Sequence, residues 1–167
     1  MKLYLAAPLF SQHERQWNRT LAAALAEGLP GWEIVLPQDL RVGGSYNDRA
    51  RFGELFQRTI GDLASTDLLV AVVDGPDCDS GVAFEVGFAY AKGIPVVAVR
   101  TDFRQSQEKG VNVLLARAAE EYLSFMSFEE DTAELARAIA GKVKKVAAGI
   151  TGKAADVTRP PGQAERQ

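Results

Sequence analysis

The sequence has 167 residues, of which 47% are hydrophobic and 25% charged, and a formal net charge of -3. That length and balance fit one domain with a sizeable core, and they exclude the basic excess expected of a nucleic-acid or membrane-surface binder. A single cysteine, Cys78, excludes an internal disulfide framework, and a single histidine, His13, leaves too few soft ligands for a zinc site.

The chain opens on Leu3-Tyr4-Leu5-Ala6-Ala7, an apolar run stopped at Pro8 and read as a first buried strand. No basic leader and no apolar run of membrane-spanning length is seen, so a cytoplasmic protein with no membrane partner is expected. Ser11 with Glu14 three positions on makes a capping box, and the helix it starts carries Trp17, Leu21 and Leu25 on one face before Gly28 and Pro30 end it. His13, next to this loop, reads as a surface residue. Trp32 to Leu36 predicts a second strand, stopped by Pro37.

Gln38 to Arg51 is polar and glycine-rich, a loop of the length that usually serves function or is disordered. Its Gly43-Gly44-Ser45 run with Arg41 is a weak signal for a phosphate contact. Phe52, Leu55, Phe56, Ile60 and Leu63 recur at helical spacing and predict a second helix. Leu68 to Val73 is a continuous apolar run, the mark of a strand buried on both faces. A helix over Ser80 to Lys92 ends at Gly93, and Ile94 to Val99 gives a fourth strand. A charged loop, Thr101 to Gly110, precedes a short helix around Val113 to Ala119. A fifth strand at Tyr122 to Phe125 and an amphipathic helix over Phe128 to Val146 complete the domain. From Ala147 the periodicity fades, and 147–167 is expected to be a poorly structured tail.

Alternating strands and helices predict a single α/β domain, a flavodoxin-like doubly wound sheet of five parallel strands. Such sheets bind ligands outside the carboxyl ends of their strands, at the switch point. This gathers Tyr4, Gln38, Asp39 and the stretch Asp74 to Gly81 with Glu85 beyond it. Neither a dinucleotide-binding glycine fingerprint nor a triphosphate-binding loop is present. Ser80 has no second histidine to serve as base and reads as a helix cap. Cys78, between two aspartates, is disfavoured as a thiolate.

Glu85 is the one residue from Ser80 to Ala91 charged at neutral pH, and its helical neighbours Val82, Phe88 and Ala89 are apolar. A carboxylate in such company is either bonded to a neighbour, such as a core tyrosine, or used. Used, it suits nucleophilic displacement at an anomeric carbon, with a covalent glycosyl intermediate. Asp79, too early to share the face of Glu85, is placed to bond hydroxyls or to cap the helix.

Tyr4-Leu5-Ala6-Ala7-Pro8-Leu9-Phe10, Leu36-Pro37-Gln38 and above all Asp74-Gly75-Pro76-Asp77-Cys78-Asp79-Ser80-Gly81-Val82-Ala83-Phe84-Glu85-Val86-Gly87 resemble the nucleoside 2-deoxyribosyltransferases. The resemblance runs from about Lys2 to Phe128. It implies that Glu85 attacks C1′ of a 2′-deoxyribonucleoside, displacing its base with eventual retention as a free nucleobase acceptor takes its place. Tyr4 then positions that carboxylate, and Asp79, with Gly81 beside it, meets the sugar. Gln38 falls among the base-binding residues, and Asn112 matches a segment that completes a neighbour's site, which implies a homo-oligomer. No metal or organic cofactor is implied. Thr59 stands where the family often has Asp or Asn to assist the base, and Ala7 where Gly is common. Asp62 and Asp39 are the candidate substitutes for that acid. Two alternatives stand beside base transfer: an N-glycoside hydrolase of 2′-deoxynucleoside 5′-monophosphates, and a non-catalytic nucleotide-binding module.

Overall fold

Continuous apolar runs without alternation make strands covered on both faces. In the computed structural model, β3 (Leu68–Val72) and β4 (Val96–Arg100) are buried at every position, and β1 (Lys2–Ala6) at all but Lys2. The structure describes residues 1–40, 43, 49–104, 111–129 and 131–157, with the backbone alone for 151–157. With the edge strands β2 (Glu33–Val35) and β5 (Glu121–Ser124), these form one parallel sheet in the order β2-β1-β3-β4-β5. The order is the flavodoxin-like one that the alternation predicts, and its direction reverses at β1 and β3.

The strand period of two divides the core. Leu3, Leu5, Val70, Val72, Val97 and Val99 face α1 (Gln12–Gly28) and α5 (Thr132–Val157). Tyr4, Ala6, Leu69, Ala71, Val96 and Ala98 face the other way. There they are covered by α2 (Arg49–Ala64), α3 (Ser80–Lys92) and α4 (Val113–Ala118). Tyr4 is fully buried, and its parity sets it beneath the helix that carries Glu85.

Local signals fix most element ends. Ser11 caps α1 through the reciprocal bonds of a capping box, and Gly93 ends α3 in the left-handed conformation at φ 68°. Several boundaries differ from expectation. Pro37 does not merely stop β2 but opens a 3₁₀ turn, Pro37–Asp39. The fourth strand starts at Val96, not Ile94, because the Ile94 amide closes the end of α3 on the Ala89 carbonyl and Pro95 has no N–H for the ladder. The last helix starts at Thr132, where Asp131 Oδ1 accepts the Glu134 amide at 2.8 Å. Phe128 lies ahead of it, packed on Phe103 with ring centroids 4.7 Å apart. That helix also runs past Val146 to Val157, beyond where apolar periodicity fades. Residues 158–167 of the expected tail, and Arg41, Gly44 and Ser45 of the glycine-rich run, lie outside the described residues.

Candidate active site

Beyond β3 the chain must turn sharply to reach α3. Gly75 does this at φ +99°, and a side-chain carbon there would come within 2.9 Å of the Asp77 carbonyl oxygen, so glycine is required. The turn is clipped to the end of β4. The buried Arg100 guanidinium donates to the carbonyls of Val73 at 2.8 Å, Gly75 at 3.1 Å and Arg104 at 2.7 Å. In return, the Asp74 carboxylate accepts the Thr101 amide at 2.6 Å and the Thr101 hydroxyl at 2.5 Å. Asp102 accepts the Gly75 amide at 3.0 Å, and the Arg104 guanidinium beside it holds its carboxyl well below the usual range.

This frame delivers Asp79 to the start of α3. Asp79, not Ser80, is the N-cap: its Oδ1 accepts the amides of Gly81 at 2.9 Å and Val82 at 3.1 Å, while Ser80 is the first helical residue. From that non-helical position one carboxylate oxygen answers two of the unpaired amides of the first turn.

One and a half turns on, Glu85 points back at the sheet. The Tyr4 hydroxyl donates to Glu85 Oε1 at 2.6 Å. Burial pushes the Glu85 carboxyl up to about 7, against the Tyr4 hydrogen bond that favours its ionised form and with the nearby Asp79 charge adding to the rise. The Tyr4 phenol is itself held far above its ordinary value, first by burial and then by the Glu85 charge, so it stays a donor. The result is a carboxylate near neutrality with one oxygen fixed and the other available.

Glu85 and Asp79 open onto a cavity of about 420 Å³. Gln38, Thr59 and Gly81 line it too, so five of the sequence-predicted site residues share one cavity, with Tyr4 under its floor. Its walls are apolar: Leu9 and Phe10 after β1, Leu40 after the 3₁₀ turn and Leu55 on α2. Gln38 is oriented by α1, its Oε1 accepting Asn18 Nδ2 at 3.0 Å and its Nε2 donating to the Arg15 carbonyl at 2.9 Å. Buried Asn18 also donates to the Pro8 carbonyl at 2.9 Å and so ties two of the cavity's loops together. It was missed in the sequence, although a polar residue in the stripe of Leu21, Ala22 and Leu25 was the available signal. Arg51 was missed as well; it recurs with Leu55 and Thr59 at every fourth position of α2.

Asp39, Asp62 and Asn112 do not line this cavity. Asp39 pairs with Arg19 at 2.9 Å on the surface, and Asp62 pairs with Lys2 at 3.1 Å, at the amino end of β1 and away from the strand carboxyl ends. Both carboxylates, named from the sequence as candidate substitutes at Thr59, are therefore engaged by cations outside the cavity. Asn112 is exposed and caps α4, accepting the Leu114 amide at 2.9 Å. It borders a separate groove of about 630 Å³ between α3 and α4, walled by Val86, Tyr90, Leu114 and Leu115.

The Cys78 thiol is pushed up to about 11, by burial and then by Asp79 and Asp74, and is no nucleophile. His13 is exposed. Among the described residues no cluster of His, Cys, Asp and Glu could hold a metal ion, and no helix is long and apolar enough to cross a membrane.

In structure the chain is similar to a conserved protein from Enterococcus faecalis V583, at 28% identity and a TM-score of 0.68, over 87% of this chain and 98% of that one. It is similar to a 2-deoxyribosyltransferase from Bacillus psychrosaccharolyticus, at 20% identity and a TM-score of 0.63, over 81% and 90% of the two chains. A CMP N-glycosidase from Clostridium botulinum shares the fold at 16% identity and a TM-score of 0.54, over 83% and 98%. No curated protein matches the sequence. The family description "Nucleoside 2-deoxyribosyltransferase" matches residues 3–116, which hold β1 to β4, the cavity and the whole Asp79 to Gly87 motif. Spanning well over half of the sequence, that match makes this chain a member of the nucleoside 2-deoxyribosyltransferase family.

Proposed function

We propose that the protein exchanges purine and pyrimidine bases on 2′-deoxyribonucleosides through a covalent deoxyribosyl intermediate on Glu85. The observation that carries this reading is the 2.6 Å bond from the buried Tyr4 hydroxyl to Glu85 at the edge of the cavity. It leaves a second carboxylate oxygen to attack C1′ as the bond to the base breaks. The free acceptor base then attacks C1′ from the vacated side and releases Glu85, so two inversions give retention. Asp79, fixed at the start of α3, meets the sugar hydroxyls through the oxygen that does not cap the helix. Gln38, Thr59 and the apolar walls hold the base.

The loop after β1 favours a free 5′-hydroxyl over a phosphate, since Ala7, Leu9 and Phe10 offer the cavity no charge. Asn112, which faces away from its own cavity, acts in a neighbouring subunit's site, and the protein is a homo-oligomer. The exposed Tyr90 and Leu114 of the α3–α4 groove support that assembly.

The test is chromatography of a reaction with 2′-deoxyinosine and free adenine, beside a control without acceptor and the Glu85→Ala variant. Formation of 2′-deoxyadenosine that needs Glu85 is expected. Base released equally without acceptor would make the protein a hydrolase, and binding without turnover would make it a nucleotide-binding module.

A further inference from the structure

The transfer chemistry above leaves one charge without a partner. When the bond from C1′ to the base nitrogen breaks, its electron pair goes to the base, which departs as an anion unless something protonates it. The described side chains of the cavity offer no ready acid: Glu85 is the nucleophile, Asp79 caps α3, the Gln38 amide is engaged at both ends, and Thr59 is an alcohol. They do offer a cation. Arg51, half-buried, shares the cavity-facing stripe of α2 with Leu55 and Thr59. The neighbouring Arg58 is already paired with Glu54 at 2.6 Å, but no carboxylate among the described residues pairs with Arg51.

A guanidinium cannot give up its proton near neutrality and presents only donors, so it reads an oxygen or an anion and does not act as an acid. We propose that Arg51 takes up the negative charge of the departing base through its exocyclic oxygen, replacing proton donation by electrostatic stabilisation of the leaving group. Glu85 Oε bonds to C1′, the C–N bond breaks, the base anion pairs with Arg51, and water returns a proton once the base leaves. In the second half-reaction an oxo acceptor loses its N–H proton to water and Arg51 holds the anion that attacks C1′, whereas adenine attacks through a neutral ring nitrogen and gives up its N–H proton to water afterwards. The donors favoured are those of the oxo bases, hypoxanthine, thymine and uracil, whose anions carry charge on oxygen.

This inference rests on the transfer reading, and a pair of donors separates the two. 2′-Deoxyinosine must release an anion, whereas the base of 7-methyl-2′-deoxyinosine already carries a positive charge and leaves neutral. In Arg51→Ala, kcat/KM for 2′-deoxyinosine is expected to fall about 10- to 100-fold further than for the methylated donor, the scale of one lost charge-assisted hydrogen bond. Arg51→Lys, which keeps the charge, recovers most of that ratio. Equal losses on both donors in Arg51→Ala would overturn the proposal and leave base transfer standing. A protein with its native Arg51 that turned over neither donor would remove the transfer reading and this inference with it.

Discussion

Tyr4 and Glu85, 81 positions apart in sequence, meet hydroxyl to carboxylate at 2.6 Å. The contact depends on strand parity. An even-numbered position on β1 faces α3, and the Arg100 and Asp74 frame sets where α3 begins. Burial beneath the apolar face of α3 pushes Glu85 up to about 7, while the hydrogen bond from the buried phenol holds that rise back and keeps the carboxyl ionisable near neutrality.

The pH profile of base exchange follows from that balance. The nucleophile must be ionised, so kcat/KM should rise about tenfold per pH unit below neutrality and level off above about 7. Tyr4→Phe removes the hydrogen bond that favours the ionised form, which moves this limb to higher pH and lowers the rate at pH 7 about tenfold or more. Rate measurements from pH 5 to 9 on both proteins check this. An unmoved limb in Tyr4→Phe would mean that the phenol does not tune the carboxylate.

The same shift makes Glu85 a cost to stability. Its carboxyl titrates near 4.5 when unfolded and near 7 when folded, so between these values the folded state binds more protons. The contribution of Glu85 to stability is therefore fullest at pH below 4.5 and is lost as pH rises through about 7. Glu85→Gln, neutral at every pH, should be the more stable protein at pH 8, by about 1–3 kcal/mol, with the gain shrinking toward pH 5. Thermal melts of the pair at both pH values read this directly.

Arg100 is 1% exposed and answers carbonyls at 2.7–3.1 Å from two loops. Arg100→Met leaves those oxygens without a buried donor and should lower stability by about 3 kcal/mol or more. Because the loop it holds carries Asp79, exchange activity should also fall in protein that remains folded. Denaturant titration and rate assays below the melting range test the two effects separately.

The placement of Asn112 outside its own cavity predicts complementation. Asn112→Ala and Glu85→Ala chains should each be inactive alone. Refolded as a mixture they should regain exchange, because a mixed assembly holds a site with Glu85 from one chain and Asn112 from the other. Failure of the mixture to recover activity, with mixed assemblies seen by mass spectrometry, would confine the site to one chain. Leu114→Asp, which charges a side chain 76% exposed beside the groove, should lower the mass in light scattering while the fold persists.

What was legible in the sequence is what neighbours in the chain decide. The Ser11 capping box, the Gly93 helix end and the three buried strands rest on local composition, and the sheet order follows from their alternation. The Glu85 motif stood out because a lone carboxylate in apolar company is costly. Tertiary partners were not legible. Asp39 and Asp62 looked available until Arg19 and Lys2 claimed them. Asn18 and Arg51 gained their places from loops that only the folded chain brings together. The start of the last helix misled because Phe128 and Phe103 pack on each other, and the apolar residue belongs to that contact rather than to the helix.

The central claim is that Glu85 carries the sugar. Protein mixed with 2′-deoxyinosine in the absence of acceptor, quenched rapidly in acid and digested, should show a mass increase of one deoxyribosyl group on the peptide holding Glu85. Free adenine added before the quench should remove it as 2′-deoxyadenosine appears. Base release with no adduct at any time point, or an adduct on another residue, would contradict the account.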